Sequence, residues 1–170
     1  MNACGPGRVE QAYGKEALME KDLIARASVA IDAPRAKVWR ALVTPEDIRR
    51  YMFGTDVVSD WKVGSSIVWR GEWKGSTFED KGVILEADPE RTLRYSHFSP
   101  LSGLPDEPDN YHSVTIELSS EGKKTRISLA QDKNSSEQAR EHSESNWATM
   151  LTALREFLEG AATTGTQSAT

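Results

Sequence analysis

Ile31-Asp32-Ala33-Pro34-Arg35-Ala36-Lys37-Val38-Trp39-Arg40-Ala41-Leu42 is the stretch whose reading decides the fold. Before it, every odd position from Leu23 to Ile31 is apolar, while Arg26 and Ser28 are polar. That period of two belongs to a half-buried strand. The alternation stops at Asp32, and Ala33-Pro34 opens a helix with apolar residues at Val38, Trp39 and Leu42. Proline suits the first helical turn because its missing N–H would have no partner there. Thr44-Pro45-Glu46-Asp47 repeats the signal with a capping side chain, a proline, then acids at the positive end of the helix. One strand thus feeds two short helices, the second running to about Tyr51.

Beyond Tyr51 strand patterns dominate. They are expected over 55–59, 66–73, 77–87, 92–98, 111–119 and 125–131, with Gly82 as a bulge or bend and with Leu93, Tyr95 and His97 on one face. Turn sequences separate them, among them Lys74-Gly75-Ser76, Asp88-Pro89-Glu90-Arg91 and Glu121-Gly122-Lys123-Lys124. The segment 99–110 holds three of the seven prolines and reads as a long loop. A last helix is expected over 134–159, where Trp147, Met150, Leu151, Leu154 and Leu158 fall at three- and four-residue spacing, with Gly160 as its C-terminal cap. The fold class is therefore α+β: a curved antiparallel sheet of about six or seven strands around a long C-terminal helix, with two short helices after the first strand. Residues 1–21 read as a flexible leader, 22–160 as the domain and 161–170 as a disordered tail.

Composition narrows the function classes. The 170 residues carry a net charge of −5, which argues against nucleic acid or an anionic membrane as partner, since both are held mainly through Lys and Arg. Cys4 is the single cysteine, so no disulfide and no Cys-based zinc site is expected within the chain. No continuous apolar run opens the sequence, so neither a secretory signal nor a membrane-spanning helix is expected, and the expected compartment is the cytoplasm. His97, His112 and His142 are not spaced as metal ligands. There is no Gly-x-Ser-x-Gly elbow and no glycine-rich phosphate loop, so no cofactor is expected. Glu72, Glu79, Asp80 and Glu86 read as charges on the solvated outer face of the sheet; the alternative is that one faces a cavity, as a general acid or base with a raised pKa. Arg70 and Arg94 read likewise, the alternative being that one holds a ligand carboxylate.

The order and spacing of these pieces resemble the helix-grip fold of the START and birch-pollen-allergen (SRPBCC) superfamily. More narrowly, they resemble the bacterial Aha-type proteins, homologues of the heat-shock-protein ATPase activator. The resemblance covers roughly residues 22–159. It rests on Ile31-Asp32-Ala33-Pro34 with Val38-Trp39 and Leu42, on Thr44-Pro45-Glu46, and on Val63-Gly64. It continues through Gly82-Val83-Ile84-Leu85-Glu86 with Asp88-Pro89, Leu93-Arg94-Tyr95 and Thr125, and closes on Trp147 with Leu151, Leu154 and Leu158. The chain departs from the family at Tyr51-Met52-Phe53, where a tryptophan is usual, at Gly64-Ser65, where a glycine pair is common, and in the loop 99–110.

The resemblance implies a cavity between sheet and terminal helix, and the strand pattern aims Trp69, Phe78, Tyr95 and His97 towards it, together with Tyr111, Trp147 and Met150. Aromatic walls with a few polar tips suit a small hydrophobic or amphipathic molecule, lipid-like or aromatic, bound without covalent chemistry. Two alternatives stand beside it. One is a cyclase- or hydrolase-like enzyme using a cavity His, Tyr or carboxylate. The other is a chaperone-associated interaction domain, which an exposed apolar patch on the outer sheet face, such as Val68 with Ile84, would favour. A homodimer is also compatible with the resemblance.

Overall fold

The computed structural model describes residues 23–167. The leader expected over 1–21 lies outside them, as do 168–170. The chain runs β1 (Ala25–Ile31), α1 (Arg35–Val43), α2 (Pro45–Tyr51), β2 (Asp56–Ser59), β3 (Ser66–Trp73), β4 (Ser76–Asp88), β5 (Thr92–His97), β6 (His112–Glu121), β7 (Lys124–Gln131) and α3 (Glu137–Gln167). The seven strands form one antiparallel sheet in the order β1-β7-β6-β5-β4-β3-β2. From β2 to β7 each strand pairs with its sequence neighbour, and β1 closes the far edge against β7.

The period of two decides which face of the sheet is buried. Ile31, Ile67, Ile84, Leu93, Ile116 and Ile127 point to the inner face and are at most 3% exposed. Leu151, Leu154 and Leu158 of α3 pack onto them in one core, with Val38 and Leu42 of α1 and Ile48 of α2 closing one end. Thr125, also buried, donates from Oγ1 to the Ala33 carbonyl oxygen at 2.7 Å, tying the start of β7 to the β1–α1 turn.

Several local expectations are corrected. Pro34 sits one residue earlier than expected, as the extended N-cap of α1. The Thr44 side chain does not cap α2; its carbonyl accepts the N–H groups of Asp47 and Ile48 instead. The β4 bulge falls between Ile84 and Glu86 rather than at Gly82, where the backbone of β4 runs against β5. Gly160 does not end α3, which continues to Gln167 in place of the tail expected from residue 161. A glycine outside the left-handed region costs a helix only about 1 kcal/mol, and Ala161 and Ala162 are the best helix formers.

The sheet's two edges are treated differently. Along β1 the outward N–H groups of Arg26 and Asp32 donate to Glu144 Oε1 and Glu159 Oε1 of α3, each at 3.0 Å. Fifteen helical residues rise about 22 Å and six strand residues about 20 Å, so two carboxylates on one helix span this edge. β2 at the opposite edge is only four residues long.

Candidate functional site

Where β3, β5 and β6 face α2 and α3, the inner surface lines a cavity of about 30 Å³. Trp69 and Ile67 come from β3, Tyr95 and Leu93 from β5, Ile116 from β6 and Met150 from α3. Leu42, Ile48, Tyr51 and Met52 supply the end near the short helices, and Trp61 of the β2–β3 loop closes it. Such a volume holds about one water molecule, against several hundred Å³ for an ordinary ligand pocket. The rings of Trp69 and Tyr95 pack tilted, centroids 5.2 Å apart.

Two tyrosine hydroxyls reach this region. Tyr51 donates to the Ala41 carbonyl at 2.9 Å. Tyr95 is 7% exposed and lines the cavity beside Trp69. Burial pushes the pKa of both phenols up, for Tyr51 with added repulsion from Tyr95 and Asp47. Both therefore stay neutral and able to donate at physiological pH.

Of the seven residues expected in the cavity, Trp69, Tyr95 and Met150 form its wall together. His97 lies just outside it. Its ring meets Trp69 edge-on at 5.0 Å, and its Nε2 donates to Asp80 Oδ2 at 2.9 Å. Phe78 covers Gly71, where a built Cβ would come within 2.9 Å of the phenyl ring. Tyr111 precedes β6, stacks on Phe98 at 5.1 Å and donates to Asp106 Oδ1 at 2.6 Å. Trp147 is half-buried and its indole N–H donates to Gln131 Oε1.

Asp80 corrects the reading of the strand acids as outer-face charges. It stands opposite Trp69 and shares that residue's inward face, with its side chain 15% exposed. The signal is present in the chain: Asp80 is two residues from Phe78, which the strand pattern aims inward, and alternate strand residues share a face. Glu72, Glu79 and Glu86 do face water, as do Arg70 and Arg94, and His142 is exposed on α3. Ile84 has the parity of Phe78 and Asp80 and lies fully buried opposite Tyr95, so it is no part of an outer patch. The exposed apolar residues there are Val58, Val83 and Leu85.

Trp61, Met52 and Tyr51 escape sequence reasoning as cavity residues because they sit in or beside connections whose placement depends on tertiary packing. His112 donates through Nδ1 to the Asp132 carbonyl at 2.8 Å. Among the described residues no group of three or more His, Cys, Asp or Glu side chains is placed to hold a metal, and no helix is long and apolar enough to cross a membrane.

Comparison with known proteins agrees with this geometry. The family model described as "Activator of Hsp90 ATPase homolog 1-like protein" matches residues 32–159. The solution structure of ChR145 from Cytophaga hutchinsonii is 56% identical, with a TM-score of 0.75, over 85% of this chain and 99% of that one. Two more distant structures share the fold. The crystal structure of MLL2253 from Mesorhizobium loti is 21% identical, with a TM-score of 0.64, over 80% of this chain and 96% of that one. The solution structure of the Aha1 dimer from Colwellia psychrerythraea is 17% identical, with a TM-score of 0.61, over 78% and 93%. A search of curated proteins gives no match.

Proposed function

The chain belongs to the Activator of Hsp90 ATPase homolog 1-like family, and on that premise we propose that it binds a small hydrophobic or amphipathic molecule between sheet and α3. The observation that carries this reading is the Tyr95 hydroxyl, the polar tip of a largely buried residue in a mostly apolar wall; the Tyr51 hydroxyl of the same wall already donates to the Ala41 carbonyl. A hydroxyl both donates and accepts, so one at a cavity wall offers a ligand a point of attachment.

At about 30 Å³ the cavity is too small for a ligand of this class as it stands. A ligand enters by displacing side chains, and Met52 and Trp61 are the ones placed to yield. Both sit at loop positions, and the neighbouring Phe53 and Trp61 itself hold left-handed φ angles of 55° and 59°. Such angles store of the order of 1 kcal/mol or more in a non-glycine residue, which favours rearrangement on binding. Methionine's flexible thioether adapts readily to a new shape. A cytoplasmic setting belongs to the same reading.

The test is a thermal-shift series with phenol and 4-alkylphenols, paired with the tryptophan indole signals in NMR. A ligand that binds only the native state raises Tm with concentration, and the Trp61 and Trp69 signals should move together. An unchanged Tm and unmoved indole signals at millimolar ligand would overturn the reading.

A second reading, as an interaction domain for an Hsp90-type chaperone or a second copy of the chain, is favoured by one observation. Val58, Val83 and Leu85 are 59%, 39% and 41% exposed on the outer face of β2 and β4. The enzyme reading draws only on the Asp80–His97 pair, which lies outside the cavity wall.

A further inference from the structure

We propose that Asp80 is the polar anchor of this binding site and selects aromatic ligands that carry a hydrogen-bond donor, a phenolic O–H or an aromatic amine N–H. The proposal rests on the cavity-binding reading and specifies its ligand class. Asp80 lies opposite Trp69, and His97 Nε2 occupies its Oδ2 at 2.9 Å. The His97 ring is in turn set against the edge of Trp69. The carboxylate is thus fixed on two sides. Its other oxygen, Oδ1, is buried and has no hydrogen-bond partner among the described residues.

A buried acceptor left unpaired forfeits its bond to water without replacement, and more is lost when it is charged. No Lys or Arg offsets it, since the one ion-pair partner of Asp80 among the described residues is His97. A ligand donor that reaches Oδ1 recovers that loss. An ionised carboxylate accepts and does not donate, so the site rejects ethers and ketones of the same shape. Trp69 joins the two regions: it forms the cavity wall with Tyr95 and also meets the His97 ring. Asp80 lies beyond the cavity wall, so a ring that enters past Met52 and Trp61 must also turn Trp69 for its donor to reach Oδ1. Sites built to bond a substrate donor discriminate strongly against analogues lacking it, because the site's own group is then left unpaired.

The experiment compares phenol with anisole, its O-methyl ether, on the full chain by calorimetry. Phenol should bind at least about tenfold more tightly, the worth of one bond to a charged group. In Asp80→Asn the amide can present N–H where Oδ1 stood, and the preference should fall below about twofold or reverse. A second measurement needs no variant: the ¹³Cγ signal of Asp80 in the wild-type chain should move with phenol and stay still with anisole. Aniline binding more tightly than phenol supports the anchor equally and assigns the donor as N–H. Equal affinity for phenol and anisole with an unmoved Asp80 signal overturns the anchor while leaving the cavity reading in place. No binding of any of the three overturns both.

Discussion

At Gly82 the backbone of β4 lies so close to β5 that a built Cβ would sit 1.7 Å from the Ser96 carbonyl oxygen. Backbone cannot step aside as a flexible side chain does, so Gly82→Ala should lower stability by about 3 kcal/mol, at or above the upper end for overpacking. Gly160 is the opposite case. It is helical with nothing within 4 Å of a built Cβ, so Gly160→Ala should raise stability by about 0.5–1 kcal/mol. Urea titrations of both variants check the pair, and a loss of stability in Gly160→Ala would restore that residue as a helix cap. Gly82 was legible as a special position, read as a bulge or bend, but its close approach to β5 was not. Asp80 was legible by parity alone. Its partner His97 was not, since a contact across strands depends on register, which no local pattern supplies.

Among the elements, the loop between β5 and β6 owes its shape to one carboxylate. Asp106 pairs with Lys81 of β4 and accepts the Tyr111 hydroxyl, while two proline-led turns, Pro100–Ser102 and Pro108–Asn110, stiffen the rest. The bond from Lys81, then that from Tyr111, holds the Asp106 carboxyl below its usual range. A carboxyl pKa lowered by folding stabilises above the unfolded value, near 4, and that contribution is lost as pH falls through the lowered one. The methyl signals of Leu101 and Leu104 should therefore stay constant from neutral pH down to about 4 and titrate below it. Lys81→Met should move the midpoint upwards. A midpoint at or above 4 in the wild-type chain would show that the brace does not form. The loop itself was legible from its prolines. Its brace joins residues 25 positions apart, Lys81 and Asp106, and no periodicity links them.

For the molecule as a whole, the succession of strands and helices followed from alternation and punctuation, whereas the pairing of β1 with β7 did not, and the matching solved structures carry the same fold. Cavity size did not follow, because it depends on how Trp61, Trp69 and Met150 settle against one another. The two sheet edges divide the surface into a sealed side and an open one. A helix whose carboxylates take up an edge's N–H groups blocks strand addition there, whereas β2 is met by the short α2, whose Arg49 bonds the Asp56 side chain. If the outer face receives a partner, Val58→Lys with Leu85→Lys should abolish self-association in sedimentation velocity, or binding to an Hsp90-type chaperone, without changing Tm by more than about 3 °C. Unaltered association in the double variant would dismiss that face.

The pairing of β1 with β7 also governs the order in which the protein becomes whole during synthesis. Ala25 meets Gln131, and Ile31 meets Thr125. The other strands pair with sequence neighbours and can zip up as they leave the ribosome. β1 emerges first and waits for a partner roughly a hundred residues later, which at about 5–20 residues per second is some 5–20 seconds. Throughout that interval Val29 and Ile31 lack their cover, and α3, which seals the same strand, is made later still. A nascent chain stalled before residue 125 would display an adhesive first strand, so the slowest translated step carries the greatest exposure to capture by holding chaperones.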